Sequence, residues 1–370
     1  MKKTDILKKI TEGSTDIFVH INKDKKKGPG KKIGGTTFYN PSMELNRSLS
    51  VLFLQWFADK SNHSLKILDG LSSSGIRGIR FANEVSSDFK VYLNDWDKNA
   101  YDLIKKNIEH NNIKNAEVLN SNLNTILSKE KFDYIDIDPF GSPVYFFDSA
   151  IRSIKHNGFV SFTATDTATL CGVYNKVCKR RYDAESFHGV SMKEIGMRIL
   201  LSSFARIAAR YDKGIMPIIS YVTDHYFRSY VQIYSNITCA NDTISKVKTI
   251  KSGEKIALDK TKKDVGPVWN GKLQDKKIFK EIRSIVKNKK FDSKADILKL
   301  VDLLEEEADA PIFYYTTSSI ASYLKTSPPK KTDLFKFLEK KGYFVCNTHF
   351  DPMGFKTDAS FNVIEKMFKE

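Results

Sequence analysis

Three aspartates follow short apolar runs in the first half of the chain, and one of them, Asp138, opens the segment Asp138-Pro139-Phe140-Gly141. An exocyclic amine of a nucleobase is a poor nucleophile, so a site that methylates one must hold its N–H groups and accept a proton. The Asp138 carboxylate and the Pro139 carbonyl supply acceptors without a competing backbone donor, and Phe140 can stack on a base. The segment therefore indicates methyl transfer to an exocyclic amine, although an Asp-Pro turn that only ends a strand has the same letters.

The other two aspartates indicate a cofactor site. Asp69 begins the segment 69–78 (DGLSSSGIRG), whose small residues and predicted helix start let a nucleotide approach the backbone N–H groups. This segment lacks G-x-G-x-x-G, which disfavours a dinucleotide dehydrogenase. Asp95 ends the next strand, where a carboxylate can accept both ribose hydroxyls, and Asn122 lies where its amide can meet an adenine edge. Capping and turn roles for these residues stay open.

The elements that position these residues follow from an alternation of short apolar runs with helical patterns over residues 65–240. The predicted strands are 65–69, 89–93, 116–119, 132–137, 158–163, 215–223 and 226–234. The predicted helices are 75–85, 97–110, 144–154 and 191–211. Five strands with helical crossovers, followed by a helix and a hairpin, predict an α/β, class I (Rossmann-like) methyltransferase domain over residues 1–240.

The pattern changes after residue 240, which predicts a second domain over residues 241–370. The predicted helices here are 276–287, 293–308, 317–324 and 332–341, and residues 343–357 can form a wing. This order predicts an α+β domain that ends in a winged-helix-like module.

Composition limits the class of protein. The 370 residues include 60 Lys and Arg against 44 Asp and Glu, a net charge of +16, which favours a polyanionic partner. A hydrophobic content of 41% excludes wholesale disorder. No apolar run approaches the roughly 18 residues of a membrane span, and no signal peptide is recognisable, so we expect a cytoplasmic protein without membrane contact. The basic clusters are residues 23–32 and Lys176, Lys179, Arg180 and Arg181.

Several segments together resemble one family, the archaeal-type tRNA (guanine-26 N2)-dimethyltransferases. They are 38–47 (FYNPSMELNR), 69–82 (DGLSSSGIRGIRFA), 135–143 (IDIDPFGSP), 163–172 (TATDTATLCG) and 266–271 (GPVWNG). The resemblance implies a tRNA substrate, S-adenosylmethionine as methyl donor and N2,N2-dimethylguanosine as product.

The resemblance also implies roles for single residues. Asp138 would be the catalytic carboxylate, with Pro139 beside it, and Phe38 and Phe140 would hold the flipped guanine. The residues implied in cofactor binding are Arg47 and Arg77 at the carboxylate end, Asp69 in the loop, Asp95 at the ribose, and Asn122 with Leu123 at the adenine.

The chain departs from the family pattern at two places. The family often has Asp where this chain has Asn122. The Asn122 amide keeps a hydrogen-bond acceptor and adds a hydrogen-bond donor. Some relatives carry a Cys-x-x-Cys zinc site before the Gly-Pro-x-Trp segment, where this chain has Lys262-Lys263-Asp264-Val265. Because these cysteines are missing, we predict no metal site. We also predict no obligate protein partner.

Three alternatives remain at this point. The first is an adenine or cytosine amino-methyltransferase, although these enzymes usually have a Pro-Pro-Tyr-like run where this chain has Phe140-Gly141. The second is a non-catalytic RNA-binding protein with the same fold, and the third is a winged-helix DNA-binding regulator with a metabolite-sensing domain. The joint presence of Asp69, Asp95 and Asp138 argues against the second, and the aromatic–arginine segment 38–47 has no purpose in the third.

Overall fold

The structure is a computed structural model that describes residues 6–21, 37, 39–223 and 225–369. The predicted basic loop at residues 23–32 and the predicted base-holding residue Phe38 lie outside the described residues.

The chain begins with elements that the sequence analysis did not predict. An antiparallel hairpin, β1 (Ile6–Glu12) and β2 (Thr15–Ile21), precedes a short 3-10 helix (Pro41–Met43) and helix α1 (Glu44–Ala58). Residues 46–55 of α1 are all buried. A helix that is buried all round has no polar face, so its sequence lacks the helical period that predicts amphipathic helices.

The central sheet has seven strands in the order β5-β4-β3-β6-β7-β9-β8, and the predicted strands are confirmed. They are β3 (Leu65–Asp69), β4 (Phe89–Asn94), β5 (Ala116–Leu119), β6 (Phe132–Ile137), β7 (Ile154–Ala164), β8 (Lys213–Val222) and β9 (Phe227–Ser235). Strands β3 to β7 pair in parallel. The crossover helices are α2 (Ile76–Glu84), α3 (Lys98–His110), α4 (Leu123–Lys129) and α5 (Val144–Ser153). Because parallel strands present their carboxyl ends at one edge, Asp69 at the last residue of β3 and Asp95 and Asp138 just after β4 and β6 all lie at that edge.

After β7 the chain forms further helices and short strands. The helices are α6 (Thr167–Leu170), α7 (Asn175–Tyr182), α8 (Met192–Ala209), α9 (Ile237–Ser245), α10 (Ile278–Lys287) and α11 (Lys294–Glu306). The strands are β10 (Val247–Ile250), β11 (Lys255–Ile256), β12 (Asp259–Lys260) and β13 (Val265–Trp269). No helix within the described ranges combines the length and the apolar character needed to cross a membrane.

The C-terminal residues form the predicted winged-helix-like module. Its elements are β14 (Tyr315–Thr316), α12 (Thr317–Leu324), α13 (Lys331–Lys340), β15 (Val345–Asn347), β16 (Gly354–Thr357) and α14 (Phe361–Lys369). The strands form an antiparallel sheet in the order β14-β16-β15. Its core contains Ile320 from the first helix of the pair, Leu334 and Leu338 from the second, and Phe355 from the sheet. The helix pair followed by a hairpin is the expected order of this module.

Contacts divide the chain into two compact units, and each unit is made of three separate segments of the sequence. The first comprises Met1–Thr163, Val231–Ser235 and Lys277–Lys299. The second comprises Ala164–Tyr230, Asn236–Lys276 and Leu300–Glu370. The assignment of residues 1–240 to methyl transfer and of residues 241–370 to tRNA binding stays a prediction.

A buried ionic cluster lies within the second unit. The Glu194 side chain on α8 is 0% exposed, and its Oε1 accepts hydrogen bonds from Nε and Nη2 of Arg198, at 3.0 and 2.8 Å, and from Nζ of Lys356, at 3.0 Å. Arg198 also donates from Nη1 to the carbonyls of Trp269 (2.9 Å) and Gly271 (3.0 Å). The segment 266–271 therefore has a structural role, since its carbonyls accept hydrogen bonds from the buried Arg198 guanidinium.

Candidate functional site

The loop after β3 is held close to the sheet by hydrogen bonds at both ends. Gly70 N–H donates to the carbonyl of Asp136 at 3.0 Å, and Ser72 N–H donates to the carbonyl of Asn94 at 2.8 Å. Gly75, with φ at +82°, precedes the first residue of α2 in a left-handed conformation that favours glycine. The loop thus turns directly from the sheet edge into α2, as the small residues of segment 69–78 predict.

Asp69 fixes the start of α2. Its Oδ2 accepts a hydrogen bond from Gly78 N–H at 3.0 Å, inside the first turn of the helix. Asp69 is buried and is the register partner of Asp136 on β6. Burial, and secondly the Asp136 carboxylate, raises the pKa of Asp69 to about 7. Asp69 is therefore a structural carboxyl beneath the loop, and a direct contact with the cofactor stays a prediction.

Arg77 joins α2 to the predicted catalytic carboxylate. Its Nη2 donates to Oδ2 of Asp138, and its Nε lies 3.4 Å from Oδ1 of Asp136. Its Nη1 donates to Oδ1 of Asn46 at 2.8 Å and to Oγ of Ser50 at 2.7 Å. The Asp138 side chain is 20% exposed, whereas that of Arg77 is 6% exposed. A buried arginine that is itself held on two sides thus fixes a carboxylate that reaches solvent.

Asp136 is a buried partner of this arginine that sequence reasoning missed. Its Oδ2 accepts hydrogen bonds from the hydroxyls of Tyr134 (3.0 Å) and Ser161 (2.8 Å). Asp136 is the second-last residue of β6, and Asp138 follows the strand directly, so Arg77 reaches both carboxylates. That spacing within the segment IDIDPFGSP is the signal that could have found it.

Phe140 lies beside Asp138 with a half-exposed ring. The side chain is 52% exposed, and Gly141 follows with φ at +83° in open space. Because Gly141 has this left-handed conformation and open space around it, the Phe140 ring is accessible to a base. Pro139, between the two, is partly buried.

Asp95 stands at the end of β4 and is held by backbone groups. Its Oδ2 accepts from Ser73 N–H at 2.9 Å and its Oδ1 from Asp97 N–H at 3.0 Å. The Ser73 bond ties Asp95 to the loop after β3, so the two predicted cofactor segments meet. Trp96 follows with a side chain that is 74% exposed, and sequence reasoning missed this aromatic although it adjoins Asp95.

Asn122 and Leu123 lie at the start of α4. Asn122 is exposed, and its Oδ1 caps the helix by accepting from Asn124 N–H at 2.9 Å. Leu123 is buried against Gly70, where a Cβ atom would lie 2.9 Å from its methyl groups. Leu123 therefore supports the loop after β3, and contacts of both residues with adenine stay predictions.

Arg47 belongs to a second buried network in the same unit. Its Nε and Nη2 donate to the two carboxylate oxygens of Glu12 at 2.7 and 2.6 Å, and Nη2 also donates to the carbonyl of Asn40 at 3.1 Å. Arg80 donates to the same Glu12 at 2.8 Å. Burial alone would raise the pKa of Glu12, but the two guanidinium groups outweigh it and hold this pKa below its usual range. The contact of Arg47 with the cofactor stays a prediction.

Two buried polar atoms, one on α1 and one in the loop after β3, have no partner in the described part of the chain. Asn46 Nδ2 and Ser74 Oγ are buried and have no hydrogen-bond partner among the residues that the structure describes. Asn46 already accepts from Arg77, and Ser74 belongs to the loop after β3. Buried polar groups are normally paired, so Asn46 Nδ2, on a side chain that Arg77 contacts, is open to a polar ligand. Asn46 adjoins Arg47 in segment 38–47, which is the signal for it.

Metal ligands are not assembled in the described part of the chain. No group of three or more His, Cys, Asp or Glu side chains there is arranged to hold an ion.

Comparisons with known proteins agree with this geometry. Residues 21–369 match the family described as N2,N2-dimethylguanosine tRNA methyltransferase. The tRNA (guanine(26)-N(2))-dimethyltransferase of Methanobrevibacter smithii is 33% identical over 98% of this chain and 97% of its own length. The enzyme of that name from Pyrococcus furiosus is 35% identical over 96% of this chain and all of its own.

A solved structure shows the same similarity. Trm1 from Pyrococcus horikoshii, in complex with S-adenosyl-L-methionine, superposes with a TM-score of 0.87 at 32% identity. The match covers 98% of this chain and 100% of that one. This chain therefore belongs to the N2,N2-dimethylguanosine tRNA methyltransferase family.

Proposed function

We propose that this protein transfers methyl groups from S-adenosylmethionine to the N2 amine of guanine 26 in tRNA, giving N2,N2-dimethylguanosine. The observation that carries the proposal is the Asp138 carboxylate, which Arg77 holds at the carboxyl end of β6 beside the half-exposed ring of Phe140.

The chain's own residues have three tasks in this reaction. Guanine must leave its stack at a cost of a few kcal/mol, and stacking on Phe140, with Phe38 as its proposed partner, offsets about 1–3 kcal/mol per contact. Oδ2 of Asp138 stays on Arg77, so Oδ1 is the atom that orients N2. It accepts the N2 proton directly or through a water molecule. Most of the rate enhancement then comes from orientation.

The cofactor supplies the methyl group, which is activated by the positive charge on its sulfur. We propose that Asp95 accepts hydrogen bonds from its ribose and that Asn122 contacts its adenine. Asn46 and Arg77 would hold its carboxylate end, because Asn46 Nδ2 is buried without a partner in the described part of the chain. The Trp96 ring, which adjoins Asp95, offers an apolar face to the same nucleoside.

One experiment tests the proposal. Unmodified tRNA is incubated with labelled S-adenosylmethionine and the wild-type protein or Asp138→Asn, and the labelled nucleoside is identified by mass spectrometry. We expect N2,N2-dimethylguanosine at position 26 with the wild type. We expect Asp138→Asn to lower kcat by roughly 10²- to 10⁴-fold, the range for a lost general base, with tRNA affinity near that of the wild type.

Asp148→Asn, on the exposed side of α5, is the matched control and should keep wild-type activity. Label in adenine or cytosine would instead support the alternative amino-methyltransferase, and no label in any nucleoside would support a protein that only binds RNA.

A further inference from the structure

The segment that follows β7 resembles the family but has no role in the reaction described above. Within the second unit, residues 164–172 lead through α6 to α7. The Asp166 carboxylate accepts hydrogen bonds from Nη1 of Arg181 at 3.0 Å and from the hydroxyl of Tyr182 at 2.7 Å. Asp166 therefore ties the last turn of α7 to the start of the segment.

The connection between α6 and α7 holds Tyr174 in a fixed backbone position. The N–H groups of Val173 and Tyr174 donate to the carbonyl of Ala168, and the Tyr174 carbonyl accepts from Val177 N–H at 2.9 Å. Gly172, with φ at +87°, makes this turn, and a Cβ atom there would lie 2.5 Å from the Phe187 backbone. Even so, the Tyr174 side chain is 58% exposed. The turn thus holds an aromatic ring in solvent.

The charges on α7 fall into two classes. Lys179 pairs with Asp183 at 3.2 Å, and Arg181 pairs with Asp166. Lys176 and Arg180 are both exposed, and neither forms an ion pair with any residue that the structure describes. These two are four residues apart and share one face of the helix. Of the four basic residues in this cluster, two are therefore paired within the protein and two are exposed without an ion pair in the described part of the chain.

We propose that Tyr174, Lys176 and Arg180 form an RNA-binding surface, the Tyr174 surface, that contacts the tRNA substrate. This proposal rests on the proposed function. Exposed cations bind phosphates without reading sequence, and an exposed aromatic ring stacks on an unpaired base. When a base stacks on the Tyr174 ring, it covers apolar surface that is exposed to water in the free protein.

Binding of unmodified tRNA at several salt concentrations tests this surface in the full-length protein. Lys176→Ala with Arg180→Ala should reduce the log–log salt slope by about 1.4 to 1.8, which corresponds to two lost phosphate contacts. Tyr174→Ala should weaken binding about 5- to 150-fold, whereas Tyr174→Phe should bind like the wild type because it keeps the ring.

Lys179→Ala is the matched control, since Lys179 lies on the same helix and is already paired; its salt slope should stay near that of the wild type. With all four variants the affinity for S-adenosylmethionine should be unchanged. The KM for tRNA should rise for Tyr174→Ala and for the double variant, while kcat at saturating tRNA remains near that of the wild type.

Wild-type tRNA affinity and salt slope in the double variant and in Tyr174→Ala would overturn the Tyr174 surface, even if the wild-type protein makes dimethylguanosine. A Tyr174→Phe variant as weak as Tyr174→Ala would overturn base stacking. A wild-type protein that binds tRNA through this surface but transfers no methyl group would contradict the proposed function and not the surface.

Discussion

Arg77 determines where the candidate catalytic carboxylate lies. The motif around Asp138 identifies that residue from local sequence alone, but its partner is 61 residues earlier in the chain and on another element. The supports of Arg77, Asn46 and Ser50, are on a third element, α1. No spacing rule links positions so far apart, so the sequence predicts the reacting group and not the groups that hold it.

Asp69 makes stability depend on pH. Burial, and secondly Asp136, raises its pKa to about 7, whereas an aspartate in an unfolded chain has a pKa of about 3.9. Between these values the folded protein binds a proton that the unfolded chain does not, so the free energy of unfolding should fall as pH rises from about 4 to about 7. In Asp69→Asn this contribution should be absent, while Asn retains an acceptor for Gly78 N–H. Urea midpoints measured from pH 5 to pH 8 should therefore fall less in this variant than in the wild type.

Asp102→Asn, which changes an exposed aspartate on α3, serves as control and should follow the wild-type curve. Parallel curves for Asp69→Asn and the wild type would show that Asp69 titrates normally.

At the scale of elements, α2 must approach the sheet closely for Arg77 to reach Asp138. Gly78 allows this approach, because a Cβ atom there would lie 2.6 Å from Leu93 Cδ2 on β4. Gly78→Ala should displace α2 and destabilise the fold by about 1–3 kcal/mol, as overpacking does. It should also reduce methylation more than tenfold, since a misplacement of about 1 Å can cost 10²-fold. Thermal unfolding and single-turnover methylation measure the two effects.

The double variant Gly78→Ala with Leu93→Ala distinguishes steric displacement from other causes. It removes the clash, so its activity should exceed that of Gly78→Ala alone. Equal activity in these two variants would argue against the proposed steric effect.

Some elements were predictable and others were not, for physical reasons. The strands β3 to β9 are short apolar runs bounded by turn residues, and that pattern is local. Helix α1 is buried along residues 46–55, although this stretch includes Asn46, Arg47 and Gln55. Its sequence therefore shows neither a continuous apolar run nor the helical period of an amphipathic helix. The short helices α4, α6 and α7 are not among the predicted elements, and α4 starts at residues that the sequence analysis assigns to adenine contacts. Asn122 is an example, because an asparagine after a strand can cap a helix or bind a base with its amide. The residue type is the same in both roles, and in the structure Asn122 caps α4.

At the scale of the molecule, the buried cluster around Glu194 joins β16 of the winged-helix-like module to α8. Glu194→Gln leaves Arg198 and Lys356 buried without their carboxylate, and we expect a loss of about 3–5 kcal/mol in the free energy of unfolding. Adding Lys356→Met should restore part of this loss, because an apolar side chain of similar length needs no counter-charge. Denaturant unfolding of the single and double variants measures the coupling.

Asp242→Asn breaks an exposed pair with Lys246 and should cost less than about 1 kcal/mol. Additive losses in the Glu194 and Lys356 variants would mean that the two side chains do not depend on each other.

The interleaving of the two units has a consequence for synthesis on the ribosome. Domains generally fold in order as they emerge, but the first unit here includes Lys277–Lys299 and the second begins at Ala164. About 110 residues of chain therefore separate the end of the first unit's main segment from its last segment. Helix α10 of that segment packs against α1, so α1 must wait for it with part of its surface uncovered. Pulse proteolysis of stalled nascent chains should accordingly show protection of the first unit only after residue 299 has left the exit tunnel.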